Sequence, residues 1–213
     1  MSNIVIFGGT GYAGSAIARE AVARGHQVTS FSRHSPSAPI DGVTYRTGSL
    51  ADPAVAADAA RGADEIVVAT HGADVDGQKL VARVPALIDT ANASGARLSF
   101  VGGAGSSLLP DGTRVVDAPD FHQDWKPEAL AHAEVLEALR AAPEPLKWFY
   151  VSPAALFGAW TDLPTTGGYR TGGDELVVQD DGTSQISGAD FATAYVDEIE
   201  RSAHPRRRFT VGR

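Results

Sequence analysis

Short apolar runs alternate with longer amphipathic stretches through residues 1–151 of the chain. Residues 4–7 are wholly apolar, which is typical of a parallel strand buried on both faces. A helix with an apolar face around Ile17 and Ala21 follows, and Gly25 is suited to end it. The same alternation predicts strands at 27–32, 43–45, 65–69, 98–101 and 147–151, with helices at 53–60, 78–92 and 127–141. Repeated alternation of strand and helix implies a doubly wound α/β fold with a parallel sheet.

The pattern changes after residue 151, where glycine and proline interrupt a loop-rich stretch. A hairpin is predicted there, with arms at 175–178 and 183–186 around the turn Asp180-Asp181-Gly182. A helix at 189–201 and a last strand at 209–211 are predicted to follow it. We interpret residues 158–200 as a small C-terminal cap on the sheet, so that residues 1–213 form one domain.

The amino-acid composition argues against several classes of function. The 213 residues carry 18 Lys and Arg against 26 Asp and Glu, a net charge of −8 that argues against a nucleic-acid partner. Cysteine is absent, and no His cluster has metal-ligand spacing, so we expect no metal site. No apolar run approaches the roughly 18 residues of a membrane span, and the N-terminus lacks a signal-peptide pattern. The sequence predicts a cytoplasmic protein with no membrane partner and leaves its oligomeric state open.

A glycine-rich turn, Gly8-Gly9-Thr10-Gly11-Tyr12-Ala13-Gly14, follows the first strand. Its glycines fit the Gly-x-Gly-x-x-Gly fingerprint, and they lie between an apolar strand and a helix, which is the context that this fingerprint requires. Glycine allows the backbone to approach a pyrophosphate closely, and the helix N-terminus offers free N–H groups and a positive dipole end. The turn predicts a Rossmann-like dinucleotide site; a purely structural turn is the alternative.

The second strand ends at Ser32-Arg33, where an NAD-preferring site would carry an acidic residue for the ribose 2′-hydroxyl. No acidic residue is present there, and the Arg33 guanidinium suits a 2′-phosphate instead. An ordinary solvated arginine is the alternative. We therefore predict NADP(H) as the preferred cofactor, with NAD(H) as a possible second one.

Three segments resemble the short-chain dehydrogenase/reductase superfamily in its extended or atypical branch. They are the glycine turn with Ser32-Arg33, Gly48-Ser49-Leu50-Ala51-Asp52, and Ser152-Pro153-Ala154-Ala155-Leu156-Phe157-Gly158, the last with serine where arginine is usual. The chain length and the segment 187–192 are most similar to small NAD(P)H-binding proteins grouped with flavin and biliverdin reductases and with NmrA-like regulators. The resemblance covers nearly the whole chain and is specific for fold and cofactor, not for substrate.

The resemblance implies a set of cofactor contacts. Besides Gly8, Gly11 and Gly14, it places phosphate contacts at Thr10, Tyr12 and Ala13, 2′-phosphate contacts at Ser32 and Arg33, adenine contacts at Ser49 and Leu50, and later contacts at Ala69, Thr70 and Gly72.

The superfamily's usual catalytic Tyr-x-x-x-Lys pair is missing. The residues four positions after the five tyrosines are Ala16, Ser49, Ala154, Gly173 and Ile199. Without that acid, a hydride is best accepted by an aromatic molecule that delocalises the arriving charge and takes its proton from water. Ser106 and His122, which follow the fifth strand, are the candidate catalytic residues, although a purely structural role is the alternative for each. His132 is interpreted as structural.

Two classes of function follow from these features. The first is an NADPH-dependent reductase of a flavin, quinone or bilin, in which Phe157, Trp160 and Tyr169 offer flat surfaces to the acceptor. The second is a sensor that binds NADP(H), does not turn it over, and acts through a protein partner.

Overall fold

The computed structural model describes residues 1–213, which form eight strands and five α-helices. The strands are β1 (Asn3–Phe7), β2 (Gln27–Ser32), β3 (Val43–Thr47), β4 (Glu65–Val68), β5 (Arg97–Val101), β6 (Trp148–Ser152), β7 (Arg170–Gly172) and β8 (Arg207–Gly212). The helices are α1 (Tyr12–Ala23), α2 (Pro53–Ala60), α3 (Val84–Ser94), α4 (Lys126–Arg140) and α5 (Gly188–Arg201).

All eight strands form one sheet in the order β3-β2-β1-β4-β5-β6-β8-β7. Every neighbouring pair is parallel except β7 and β8. The predicted doubly wound α/β fold is therefore confirmed. β1 lies between β2 and β4, so the chain leaves it in opposite directions and opens a crevice at the carboxyl ends of these strands.

The sheet is buried on both faces because successive residues of each strand point to opposite sides. Ile4 and Ile6 of β1 pack on the face that α1 and α5 cover. Val5 and Phe7 pack on the other face, under α2, α3 and α4. One hydrophobic core on each face of the sheet therefore supports the strands at whose carboxyl ends the crevice opens.

The C-terminal part departs from its predicted layout. The predicted hairpin is wrong: the turn forms, with the Gln179 N–H donating to the Thr183 carbonyl, but the two arms do not pair. Glu175 bridges to Leu108 and Gln185 bridges to Leu156, so each arm uses a different, more distant partner. The helix predicted inside the cap is α5, which packs beside α1 on the sheet face.

Two smaller differences concern the elements next to this region. The helix predicted over 78–92 is a 3₁₀ turn, Leu80–Arg83, followed by α3, because Pro85 suits only the first turn of an α-helix. The edge strand β7 arises in a stretch interpreted as loop. No helix is long and apolar enough to cross a membrane; the cytoplasmic location stays a prediction.

Candidate functional site

A cleft of about 1250 Å³ lies along the carboxyl ends of β1 to β6. The loops that follow these strands form its walls, so residues far apart in the chain meet there. The predicted cofactor residues that line it are Gly8, Thr10, Gly11, Tyr12, Ala13, Ser32, Arg33, Ser49, Leu50, Ala69 and Thr70.

The glycine turn brings β1, α1 and the end of β4 into close contact. Gly8 has φ +85°, and a Cβ there would lie 2.3 Å from the Ala69 carbonyl oxygen. A Cβ at Gly14 would lie 2.3 Å from the Gly8 carbonyl oxygen, so Gly14 packs the helix on the strand and does not line the cleft. Only glycine fits at either position without moving backbone.

The N-terminus of α1 fits a dinucleotide phosphate group. Gly11 is the N-cap residue, and no side chain accepts a hydrogen bond from the first turn. The first turn also carries no acidic residue that would neutralise the positive end of the helix dipole. Backbone N–H groups at this end are therefore left for an anion, which is what NAD(P)H would place there.

The adenosine end of the cleft contains a carboxylate that the sequence pattern did not reveal. The Arg33 side chain is 67% exposed, and its Nη1 lies 3.2 Å from Oδ1 of Asp76. The Ser49 hydroxyl donates to the other carboxylate oxygen of Asp76. Ser32 donates to the His34 carbonyl, 2.6 Å away, and Leu50 is buried in the core below. Arg33 and Ser49 thus meet, but around an acidic residue.

The middle of the cleft is held by hydrogen bonds between a carboxylate of α4 and the backbone of the loop after β4. The two carboxylate oxygens of Glu128 accept hydrogen bonds from the Gly72 and Ala73 N–H groups, at 2.7 and 2.8 Å. His132, one turn further along α4, places Nε2 3.1 Å from Glu128 Oε1. Gly72 is occupied by these contacts and does not line the cleft, whereas Glu128 and His132 do.

This arrangement sets the charge of Glu128. Burial would raise the pKa of Glu128, but the hydrogen bonds from His132, Gly72 and Ala73 outweigh it and hold the pKa at about 2. Glu128 therefore stays ionised throughout the neutral range. His132, interpreted from the sequence as structural, lies in the cleft wall because α4 turns this face toward the loop after β4.

Neither predicted catalytic residue lines the cleft. Ser106 ends a short 3₁₀ turn whose first two residues, Ala104 and Gly105, do line the cleft. The Ser106 carbonyl instead accepts from Arg208, beside a second cavity of about 150 Å³. The Ser106 hydroxyl is buried without a hydrogen-bond partner. His122 is exposed, and its Nδ1 caps the turn before α4 by accepting from the Asp124 N–H. Proximity to the end of β5 in sequence was therefore insufficient to place either residue in the site.

Four aromatic side chains form one wall of the cleft, which we call the aromatic wall: Tyr12, Trp125, Phe157 and Trp160. The Tyr12 and Phe157 rings meet edge to face with centroids 5.2 Å apart, and the Trp125 and Trp160 rings lie 5.7 Å apart. Trp160 is 62% exposed and Trp125 is 49% exposed. Exposed apolar side chains that lie together, unlike single ones, are typical of a ligand or partner site.

One aromatic residue predicted for the acceptor site, Tyr169, does not line the cleft, and one that does, Trp125, was not predicted. Tyr169 points away from the cleft, because its hydroxyl donates to Asp197 of α5 and its ring packs on the core. Trp125 was overlooked. The available signal was its position just before Lys126-Pro127, where a helix begins. In a doubly wound fold the ligand lies near the segments that connect the carboxyl ends of the strands to the helices.

Comparison with known proteins identifies the family. A family model described as NAD(P)H-binding matches residues 8–201. The uncharacterized protein YwnB of Bacillus subtilis (strain 168) is 34% identical over 211 residues, covering 98% of this chain and 97% of YwnB.

Solved structures give the same result. A Burkholderia pseudomallei protein, provisionally described as exported, is 39% identical with a TM-score of 0.87, and the match covers 100% of both chains. SP1627 from Streptococcus pneumoniae TIGR4, provisionally named an NADH-flavin reductase, is 32% identical with a TM-score of 0.80, covering 100% of this chain and 99% of SP1627. The match to the family model and these full-length likenesses confirm the predicted family and the NAD(P)H cofactor. The chain belongs to the NAD(P)H-binding family of oxidoreductase-like, Rossmann-fold proteins.

Proposed function

We propose that the protein is an NAD(P)H-dependent reductase that transfers hydride to a planar aromatic acceptor of the flavin, quinone or bilin type. The observation that carries this proposal is the aromatic wall, which stands in the same cleft as the glycine turn. The likeness to SP1627, provisionally named an NADH-flavin reductase, supports the same class of acceptor.

The cleft has room for two ligands. Its volume of about 1250 Å³ exceeds the roughly 300–1,000 Å³ of an ordinary single-ligand pocket. The glycine turn and the Arg33 region would hold the phosphates and the adenosine. The remaining space, between the loop after β5 and the aromatic wall, would hold the acceptor against the nicotinamide end.

The side chains present suit an acceptor that needs no strong acid. When bound, NAD(P)H supplies a hydride, and the acceptor must delocalise the charge that arrives. Tyr150 cannot serve as an acid in the cleft: burial raises its pKa well above the usual range, and its hydroxyl donates to the His132 carbonyl. The residues of the cleft therefore act by positioning. Glu128 fixes the loop after β4, and the aromatic wall orients a flat ring.

The test follows NAD(P)H oxidation with a panel of flavins, quinones and bilins. We expect steady turnover with at least one of them. Replacing Trp160 by alanine should raise the KM for that acceptor about threefold to tenfold, while the affinity for NADPH stays the same. Val178→Ala, which removes an exposed apolar side chain outside the cleft, is the control.

Two results would contradict the proposal. Tight NADPH binding without oxidation by any acceptor in the panel would favour the non-catalytic sensor. An equal loss of acceptor and NADPH affinity in Trp160→Ala would place Trp160 among residues that only hold the cleft together.

A further inference from the structure

The adenosine end of the cleft combines a guanidinium, which attracts a phosphate, with a carboxylate, which repels one. Arg33 follows β2, Ser49 follows β3, and Asp76 comes from the loop after β4, 43 residues beyond Arg33. Both oxygens of Asp76 are engaged, one 3.2 Å from Arg33 Nη1 and the other by the Ser49 hydroxyl. Arg33 is a residue expected at the 2′ position of the adenosine ribose, and Ser49 is one expected at the adenine.

The loop after β4 fixes Asp76 in this place. Asp76 has φ +50°, a left-handed conformation that aspartate tolerates better than most residues. The turn around it is closed by the Val75 N–H donating to the Gln78 carbonyl at 2.6 Å, and by the Gly77 N–H donating to Asp74 Oδ1 at 2.7 Å. The carboxylate is therefore held by backbone geometry as well as by its ion pair.

The charge of Asp76 matters for the two forms of the cofactor. The hydrogen bond from Ser49 and the ion pair with Arg33 lower the pKa of Asp76, so the group is ionised at neutral pH. A 2′-phosphate brings a second anion to the same guanidinium and competes with the carboxylate for it. A ribose 2′-hydroxyl is a donor, and a carboxylate accepts its hydrogen bond.

We propose that Asp76 is a specificity-determining residue of the cofactor site: it disfavours the 2′-phosphate of NADPH and accepts a hydrogen bond from the 2′-hydroxyl of NADH. The preference for NADPH, predicted from Arg33 and from the absence of an acidic residue after β2, is thereby reduced, and the protein binds both cofactors. This inference concerns cofactor binding and does not depend on the acceptor or on turnover.

The test measures the dissociation constants of NADPH and NADH separately, by tryptophan fluorescence or calorimetry, without any acceptor. Asp76→Asn keeps the size of the side chain and its tolerance of positive φ, but removes the charge. It should tighten NADPH binding about tenfold and weaken NADH binding about threefold, since a charge-assisted contact is replaced by a neutral one. Asp76→Ala should shift the ratio of the two constants in the same direction.

Two further variants separate charge from position. Asp41→Asn removes an exposed carboxylate that does not line the cleft, and should leave both constants unchanged. Arg33→Ala should weaken NADPH binding selectively. The proposal is overturned if Asp76→Asn changes both constants by the same factor, changes neither, or weakens NADPH binding. A protein that binds both cofactors as expected but oxidises neither with any acceptor contradicts the proposed function and leaves this inference intact.

Discussion

The carboxyl ends and the amino ends of the parallel strands, which we call the carboxyl edge and the amino edge of the sheet, use polar groups in opposite ways. At the carboxyl edge, glycines bring backbone close together and the N-terminus of α1 keeps N–H groups without side-chain partners. At the amino edge, Glu65 at the start of β4 is 2% exposed and pairs with Arg97 at the start of β5, 2.7 Å away. The carboxyl edge leaves backbone N–H groups free for a ligand, whereas the amino edge pairs its charged side chains with each other.

The pair of Glu65 and Arg97 is part of a polar network that reaches α5. The Arg97 guanidinium donates to the carbonyls of Glu198 and Ile199 near the end of that helix, and to the Ser202 hydroxyl. The carboxylate of Glu198 accepts from the His204 N–H and contacts its ring, 2.8 Å from Nδ1. The comparison teaches that stability and binding reside at opposite ends of the same strands, so variants should affect one without the other.

The largest expected effect is at the amino edge, in Arg97→Ala. Removing the guanidinium leaves Glu65 buried without its partner, and breaking one side of a buried pair costs about 3–5 kcal/mol. The free energy of unfolding, measured with denaturant at a pH above 7, where Glu65 is ionised, should fall by that amount, while the NADPH dissociation constant changes less than about twofold.

The control for Arg97 is Arg61→Ala, which removes an exposed arginine whose ion pair is with Asp58 on the surface. Surface pairs contribute about 0–1 kcal/mol, so its stability should hardly change. A loss of NADPH affinity in Arg97→Ala that matches its loss of stability would show that the two edges are not independent.

The second prediction is the pH dependence of the amino edge. Burial, opposed by Arg97, raises the pKa of Glu65 from 4.5 to about 7. Between these two values the folded chain keeps a proton that the unfolded chain has lost. This group therefore stabilises the fold fully below pH 4.5, and its contribution disappears as the pH rises through 7.

Glu65→Gln tests that dependence because the amide stays neutral. The difference in unfolding free energy between the variant and the wild type should grow in the variant's favour by up to about 3 kcal/mol from pH 5 to pH 8. A difference that stays constant over this range would mean that Glu65 is ionised throughout and that Arg97 fully offsets its burial.

The two edges also differ in how far the sequence revealed them. The glycine turn was predictable because its function depends on residues close together in the chain, between one strand and one helix. The fold followed from strand and helix periodicity for the same reason. Asp76 and Glu128 were not predictable, since each acts on residues more than 25 positions away, which only the packed sheet edge brings near.

Two differences between the predicted and the observed arrangement have the same origin. The position of Ser106 after β5 predicts a place in the site, but the buried guanidinium of Arg208 contacts the Ser106 carbonyl and the Ser107 hydroxyl on the side of the second cavity. The predicted hairpin had a suitable turn, yet Leu108 and Leu156 offered its arms other backbone partners. Local pattern identified the elements, and contacts between distant segments decided their partners.

The smallest expected effect is at the carboxyl edge, in Glu128→Gln. The amide keeps one acceptor oxygen but turns an NH₂ group toward one of the two backbone N–H groups that the carboxylate now binds, at Gly72 and Ala73. The loop after β4 should loosen where it lines the cleft. We expect the NADPH dissociation constant to rise about threefold to tenfold, the equivalent of one lost hydrogen bond, with little change in the melting temperature.

Glu134→Gln is the matched control, because Glu134 lies on the same helix and pairs with Lys79 on the surface, outside the cleft. It removes the same charge and should leave both cofactor affinity and melting temperature unchanged. If Glu128→Gln instead lowers the melting temperature and leaves NADPH binding intact, Glu128 stabilises the fold, as Arg97 does. The division between the two edges would then fail at this residue, because a carboxylate at the carboxyl edge would be stabilising the fold and not organising the cleft.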